Sequence, residues 1–535
     1  GIDALLTAIQ KVPEHTPYYM AISRLYARAN RHKEAVALLE KAVEQMPDNL
    51  ELIQKLADFD MLFDRLARCE VLHRRVLSMN PQQADSWHRL AQVVRDQGRA
   101  HEAVTCYEKA IALQPDNPMW SGDLIFCSDM TPGIGVEQQQ QRRKAWVAKF
   151  LPIPSATPFE NDRDPERRLR VGYVSADFYH HSAAATFATP LLDYDRAQFE
   201  VFLYCNTDPK NRDTATELFR NRATAWREIN GLDDDRLEAM IRKDRIDILV
   251  DLSGLSNGNR MPVFARRPAP IQYTGWGYNL GTGLKTINAL VIDDVMLPPR
   301  EHHHFAEGIV SLTAGIHYRG LKPYPDVAPP PCLQNGFITF GSFNRAEKIN
   351  LEVVAAWAAV LKAVPDARLV VNPVRNRPEA FIERFGAQMG AHGIHLDRLT
   401  VIAKCQTAEH FNHFNRVDMV LDPFPHNGGV SSLEALRMGV PIIALRGETI
   451  TGRLSASFLT TLGMTDWLAE DVAEYVEIAR SKAADPQALF ELRTGLRARF
   501  DASPLGDAAF YMRELQGVFR QAWRDWVNHD SPIIP

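Results

Sequence analysis

Residues Asp422 to Ser457 read DPFPHNGGVSSLEALRMGVPIIALRGETITGRLSAS. The apolar segment DMVLDPFP that leads into this stretch has the length and composition of a buried strand, closed by Asp422. Asn427-Gly428-Gly429 then gives a bare turn, and Ser431-Ser432 opens the amphipathic segment SSLEALRMG, read as a helix. Val430 joins the turn to that helix. A second strand, PIIAL, runs into a second turn, Gly447-Glu448-Thr449, with Arg453 just beyond it. The N-terminus of a helix carries unpaired N–H groups and a partial positive charge, which suit a phosphate. Glu434, one turn inside, is placed to reach ribose hydroxyls. One Gly-Gly turn also fits an ordinary capped helix after a loop. Two glycine-bearing turns on successive strand ends point instead to the rim of a ligand crevice.

Working outward, the same alternation extends in both directions. Upstream lie the strand GFITFGSFN, the helix LEVVAAWAAVLKAV and the strands ARLVVN and RLTVIA, which make residues 336–504 one doubly wound half. The turn after its first strand carries Asn344, Arg345 and Lys348. A lysine there is either a solvated surface charge or, facing a diphosphate, a neutraliser of the charge that builds on a leaving group. Residues 168–297 repeat the pattern, with strands RLRVGYVS, FEVFLYCN, DILVDLSG, APIQYTGWG and NALVIDD. The turn SADFYHHS after the first of these holds Asp177, His180 and His181; a histidine there suits a general base, or has a structural role. Residues 298–335, rich in proline, read as a connector without elements, and His302-His303-His304 as a solvated loop. The amphipathic segment 505–535 is expected to pack back on one of the halves.

The first part of the chain has a different rhythm. Pro13, Pro47, Pro81 and Pro115 recur every 34 residues. In register with them stand Trp87, Leu90, Ala91, Ala103, Tyr107 and Ala110. One period earlier come Ile53, Leu56, Ala57, Cys69, His73 and Val76. Small residues fall where helices approach closely and proline ends each pair. Residues 1–130 resemble tetratricopeptide repeats: three complete units, the middle one the weakest, after the tail of a fourth. Such helix pairs stack into a superhelix whose groove suits a docked polypeptide, or serve as a spacer or dimerisation element. Residues 131–167, with the run GVEQQQQRRKAWVAKF and then proline and charge, read as a helical linker.

Composition narrows the function. Apolar residues make 45% of the 535 and charged residues 24%, while 61 basic against 66 acidic side chains leave a charge of −5. Without a basic excess, nucleic-acid binding is not expected as the main task. No apolar run approaches the roughly 18 residues of a membrane span, and no signal peptide is visible. Six cysteines without a CxxC pair suit a reducing, cytoplasmic setting.

The segments VGYVSADFYHHS, RRPAPIQYTGWGYNLGTG, GFITFGSFNRAEKIN and FPHNGGVSSLEALRMGVPIIALRGET resemble the catalytic region of the O-linked N-acetylglucosamine transferase family, nearest its SPINDLY-type and bacterial branches. The order of repeats and catalytic region is also that family's. The resemblance implies an all-α tetratricopeptide superhelix followed by an α/β GT-B glycosyltransferase of two Rossmann-like halves. It implies inverting, metal-independent transfer of a sugar from a nucleotide diphosphate to Ser or Thr of a protein docked on the repeats, with UDP-GlcNAc favoured. Asp162-x-Asp164 and Asp233-x-Asp235 do not follow donor-site strands, so positive groups are expected from Lys348, Arg453 and the helix start at Gly429–Ser432. By this likeness Lys348 contacts the donor phosphates and His181 is the proposed base, with Asp177 or water as substitutes. Glu434 sits on the ribose and His410 near the base. Gly429, Val430 and Ser431 stand for the His-Thr-Thr of the animal enzyme, with Ser432 beside them, and Arg345 for its Gln. Leu255 and Asn279-Leu280 also depart from relatives. GDP-fucose or another donor, a homodimer, and an inactive repeat-based adaptor stay open.

Overall fold

The structure is a computed structural model that describes residues 1–154, 157–374, 378–405 and 407–529. Among the described residues nine helices come first: α1 (Ile2–Lys11), α2 (Thr16–Arg28), α3 (His32–Gln45), α4 (Leu50–Leu62), α5 (Leu66–Met79), α6 (Ala84–Asp96), α7 (Ala100–Leu113), α8 (Pro118–Ser128) and α9 (Val136–Phe150). The small residues Ala35, Ala57, Ala91 and Ala103 are fully buried where successive helices meet. In the weak middle repeat Cys69 and His73 fill core positions, and neither ring nitrogen of His73 finds a partner. Burial pushes the His73 pKa down to about 4, so the ring packs as a neutral, largely apolar plate. The stack does not end at Pro115. Asn117 caps α8 by accepting from the amides of Met119 and Trp120, and Trp120 packs with Ala84 and Ala110.

Two parallel sheets follow. The first contains β1 (Leu169–Ser175), β2 (Phe199–Cys205), β3 (Ala225–Glu228), β4 (Ile248–Asp251), β5 (Ile271–Gly275), β6 (Ala289–Ile292) and β7 (Gly308–Ser311), in the order 3-2-1-4-5-6-7. The second contains β8 (Thr339–Ser342), β9 (Arg368–Val371), β10 (Leu399–Val401), β11 (Met419–Leu421), β12 (Ile442–Leu445) and β13 (Leu468–Ala469), in the order 10-9-8-11-12-13. The expected architecture, helical repeats and then two doubly wound halves, is the one observed. The connector is a correction: residues 298–335 are not without elements, for β7 lies there as an edge strand paired with β6, after a 3-10 turn at Pro299–His304. Four residues between proline- and histidine-rich flanks are too short a run to announce a strand. His302–His304 do lie in that partly exposed turn.

Both halves pin their central strands in the same way. Asp247, before β4, accepts from the Arg170 amide on β1; Asp418, before β11, accepts from the amides of Thr339 on β8 and Cys332. In each sheet strand order reverses at the pair so joined, β1/β4 and β8/β11. At such switch points the loops leaving the carboxyl ends diverge and open a crevice. The terminal helix Ala508–His529 chooses the first half: Phe519 stacks on Tyr273 at 5.6 Å, and Leu515, Trp523 and Trp526 join the core under β1 and β2. Trp523 and Arg520 donate to the carbonyls of Asp164 and Pro165, which ties down the polar end of the linker.

Candidate active site at the paired strand ends

Asp422 organises the second half's loop. Buried at the end of β11, it accepts from the Gly428 amide (2.9 Å), from Ser432 Oγ (2.8 Å) and, through its other oxygen, from Ser455 Oγ (2.6 Å). Burial raises its pKa to about 6 against the pull of these three donors. The carboxylate draws the chain so tight that a Cβ on Gly428 would lie 2.1 Å from Ser432 Oγ and 2.6 Å from Asp422 Oδ1. Gly429, which caps the helix Val430–Arg437, has room, its nearest neighbour being Leu454 Cδ1 at 3.9 Å. Gly428→Ala is therefore expected to cost about 1–3 kcal/mol and to disorder the turn, while Gly429→Ala stays within about 1 kcal/mol. Urea melts of the two variants check this, and equal losses would overturn it.

Lys348 reaches this turn from the loop after β8. Its Nζ donates to the Asn427 carbonyl at 2.7 Å. Desolvation lowers its pKa to about 8, although the Asp422 charge favours the ammonium. On the two loops so joined and the strand end before the first, buried polar atoms are left without partners: Asn344 Nδ2, His426 Nδ1, Asn427 Oδ1 and, at the end of β8, Ser342 Oγ. Such atoms are costly unless a ligand or water takes them up. Ser431 Oγ donates to Asn344 Oδ1 at 2.9 Å, so helix start and β8 loop form one wall. Arg345 is exposed on the same loop, its Nε 3.5 Å from Glu347. His426 was not anticipated, although it stands beside Asn427 in the motif itself. Burial and the neighbouring cations Lys348 and Arg345 hold it well below the ordinary histidine pKa.

His410 and Glu434, read as separate contacts, are brought together: Nε2 of one lies 2.9 Å from Oε2 of the other. Burial opposes the charged imidazole, but the hydrogen bond and charge of Glu434 outweigh it and the pKa of His410 is raised. The His410 ring stands edge-on to Phe343 and Phe414, and this wall faces Tyr318, Tyr324 and Arg437.

Arg453 needs correction. Nε donates to the Gly447 carbonyl, Nη1 to Glu301 (2.7 Å) and the Met296 carbonyl, and Nη2 to Glu301 (2.8 Å) and the Glu448 carbonyl. A guanidinium has five N–H donors, and all five are used, so none remains for a diphosphate. Arg453 instead clamps the second half to the turn at Pro299–His304. Gly447 and Thr449 belong to the same closed loop: Gly447 donates to the Gly452 carbonyl, and Thr449 Oγ1 meets Thr451 Oγ1 at 3.0 Å. Glu448 is exposed on its rim.

Across the crevice, His181 caps the helix Ser182–Leu192, which touches the helix Val430–Arg437. His181 Nδ1 accepts from the Ala183 amide (3.3 Å) and lies 3.6 Å from Asp177 Oδ1. The cap contact puts the ring proton on Nε2. Nε2 is free to act as a base only once Nδ1 gives up that contact and takes the ring proton toward Asp177, 3.6 Å away. Burial raises the Asp177 pKa, against the opposing pull of His181. His180 is committed to Asp213, to which its amide and Nδ1 both come within 2.9 Å. Asp251, at the end of β4, is the counterpart of Asp422: it accepts from the amides of Ser253 and Gly254 and from Thr274 Oγ1, with its pKa raised by burial to about 6. Among the described residues no group of three or more His, Cys, Asp or Glu is arranged to hold a metal, and no helix is long and apolar enough to cross a membrane.

The arrangement offers an ammonium, helix-start amides and a histidine–carboxylate pair on one sheet, facing a second histidine–carboxylate pair on the other. Comparison with known proteins gives the family. The profile of glycosyl transferase family 41 matches residues 152–317 and 332–515, and tetratricopeptide repeat profiles match 26–93 and 84–117. The probable UDP-N-acetylglucosamine–peptide N-acetylglucosaminyltransferase SPINDLY of Solanum lycopersicum is 34% identical over 407 residues, 74% of this chain and 43% of that one. The protein SEC of Arabidopsis thaliana, carrying the same enzyme name, is 28% identical over 68% of this chain and 38% of its own. The chain thus spans less than half the length of these curated relatives. A lysine-to-methionine mutant of the Thermobaculum terrenum O-GlcNAc transferase superposes with a TM-score of 0.84 at 27% identity, covering 99% of both chains. The chain belongs to glycosyl transferase family 41, with tetratricopeptide repeats ahead of its two GT-B halves.

Proposed function

We propose that this protein transfers a sugar from a nucleoside diphosphate donor to a Ser or Thr hydroxyl of a polypeptide held by its repeats. The observation that carries the reading is the Lys348 ammonium set against the Asn427 turn, beside a helix start and four unpartnered buried polar atoms. In a single in-line displacement the acceptor oxygen forms its bond to the anomeric carbon as the bond to the β-phosphate oxygen breaks. The acceptor's proton goes to Nε2 of His181, to Asp177 or to a water. The electron pair leaves on the diphosphate, where Lys348 and the Val430 and Ser431 amides gain strength as charge develops. His410, polarised by Glu434, lies where the nucleoside would sit. No metal is needed, because the ammonium and amides supply the positive charge, and Asp422 is occupied by its three donors. UDP-GlcNAc is the favoured donor, in keeping with the names of the relatives, and the compartment is the cytoplasm.

The test is which nucleotide raises Tm, since a ligand of the native state stabilises it by mass action. UDP is expected to raise Tm more than GDP or CMP, unaltered by EDTA, and UDP-GlcNAc to be consumed with a protein acceptor. A larger shift with GDP would favour GDP-fucose; no shift with any of the three would overturn the reading. The pH dependence has a definite sign. Lys348 carries its charge below about pH 8, and an anion favours the charged form, so binding takes up a proton near that pH. Diphosphate affinity should then fall by up to about tenfold per pH unit above 8. Calorimetry at pH 7, 8 and 9 checks this. Asp422, Glu347, Arg345 and His426 face the same ammonium, and a flat profile would mean that Lys348 does not touch the diphosphate.

A further inference from the structure

The repeats do not merely precede the catalytic halves; they press on the turn that carries Lys348. The loop between α6 and α7 holds Gly98 at φ +82°, a left-handed conformation that side chains rarely adopt. A Cβ there would lie 2.8 Å from the Ile349 carbonyl oxygen and 3.2 Å from Asn350 Cα. The Gln97 carbonyl accepts from Arg384 Nη1 at 2.9 Å, which fastens the same loop to the second half. The Arg95 guanidinium feels the charge of Glu347 on the other side of the turn. From this contact the backbone path to the site is short. Lys348 is the residue before Ile349, in the 3-10 turn Ala346–Lys348. Asn350 donates through Nδ2 to the Phe424 carbonyl at 2.9 Å, three residues before the Asn427 carbonyl that Lys348 holds. Repeat loop and lysine turn are thus packed backbone against backbone, and the side chains of Lys348 and Asn350 carry the contact on to the glycine turn.

We infer that Gly98 is a positioning residue for the donor site: the last full repeat props the lysine turn, so the module that holds the polypeptide also sets the Lys348 ammonium against the diphosphate. This rests on the reading of Lys348 as a phosphate contact. Because a Cβ at residue 98 must push Ile349 or be pushed by it, the displacement falls on the lysine and not on the nucleoside wall of His410 and Glu434. The coupling is local and mechanical, and it predicts a selective defect.

The experiment compares Gly98→Ala with Gly231→Ala. Gly231 stands at φ +81° with nothing within 4 Å of where its Cβ would be, so that variant reproduces the backbone strain without the contact. Arg384→Ala, which frees Gln97 without adding atoms, is a second variant should Gly98→Ala fold poorly. Calorimetric affinities for UDP and GDP are set beside those for UMP and GMP in the full chain. Gly98→Ala is expected to weaken the better-bound diphosphate about tenfold and Arg384→Ala about threefold. The corresponding monophosphate should change less than twofold, and Gly231→Ala should match the unaltered protein. Unchanged diphosphate affinity in both Gly98→Ala and Arg384→Ala would overturn the inference while leaving the lysine reading intact. An equal loss of mono- and diphosphate would overturn it as well, since that is general loosening. If Lys348→Ala itself left UDP and GDP affinity unchanged, the failure would lie with the phosphate reading.

Discussion

Lys348→Ala is expected to lower sugar transfer by about 10³-fold and to leave Tm unchanged or slightly raised. The two halves of that result have one cause. The ammonium sits among the Asp422 carboxylate, the Asn427 carbonyl, the Arg345 cation and the neutral ring of His426, in a setting whose desolvation already lowers its pKa to about 8. A charge so placed is a cost to the folded state: between about pH 8 and the unfolded lysine value near 10.4 the unfolded chain binds more protons, so stability rises with pH across that window. Below it the cost is present in full, and Ala removes it. That cost is offset when the diphosphate of the donor binds, and most when the nucleoside diphosphate departs. Removing a single preorganised donor from a developing anion costs about 10²–10³-fold, and a full ammonium on a dianionic leaving group belongs at the upper end. The loss should appear equally in kcat and kcat/KM if the lysine acts mainly in the transition state, and in KM if it mainly grips the ground-state donor. Single-turnover transfer, with Tm measured alongside, decides it. Activity within tenfold of the unaltered protein would remove Lys348 from the mechanism.

Much of this was legible in the residues. The switch-point loops announced themselves, because glycine, asparagine and serine after an apolar run have few other reasons to cluster: Gly428 has no room for a Cβ, and Ser432 is held by Asp422. Lys348 and His181 were legible through spacing and likeness, and both lie on loops at the carboxyl ends of the central strands. What stayed hidden was pairing. A sequence gives His410 and Glu434 as two contacts, whereas the fold makes them one polarised unit 2.9 Å apart. It offers Arg453 as a free cation, but Glu301, more than 100 residues upstream in a turn with no periodicity, takes its charge. Strand β7 was hidden for a related reason: four residues on an edge carry too little apolar pattern to outweigh the prolines around them. The polar run QQQQRR reads only as part of a helical linker, because the burial of Gln140 and Arg143 depends on carbonyls of residues 280 and 281, far along the chain.

The buried face of that run bears on how the repeats can be removed. Asp129, in the turn after α8, is the point where all three parts of the protein meet. Its carboxylate takes two contacts from Arg143 Nη2, at 2.8 and 2.7 Å, and lies 3.3 Å from Tyr278 Oη of the first half. Its carbonyl accepts from Thr451 Oγ1 of the second half at 3.0 Å. Arg143, fully buried on α9, directs its other donors to the carbonyls of Gln139 and Gly281 and to Tyr278 Oη. A buried pair of this kind adds little over an apolar replacement, but removing one partner strands the other charge and costs about 3–5 kcal/mol. Asp129→Ala is therefore expected to lower unfolding stability by that amount in urea and to loosen the Thr449–Thr451 loop at the crevice. Deleting residues 1–130 removes Asp129 together with the repeats, so it should abolish donor turnover through misfolding and say nothing about docking. A cut after residue 48 keeps α4 to α9 and the junction. That shorter chain should retain UDP-sugar hydrolysis within about twofold while losing most transfer to protein acceptors. If the 1–130 deletion stayed folded with full donor turnover, the junction would be dispensable, and the repeats would be the detachable docking arm that the sequence first suggested.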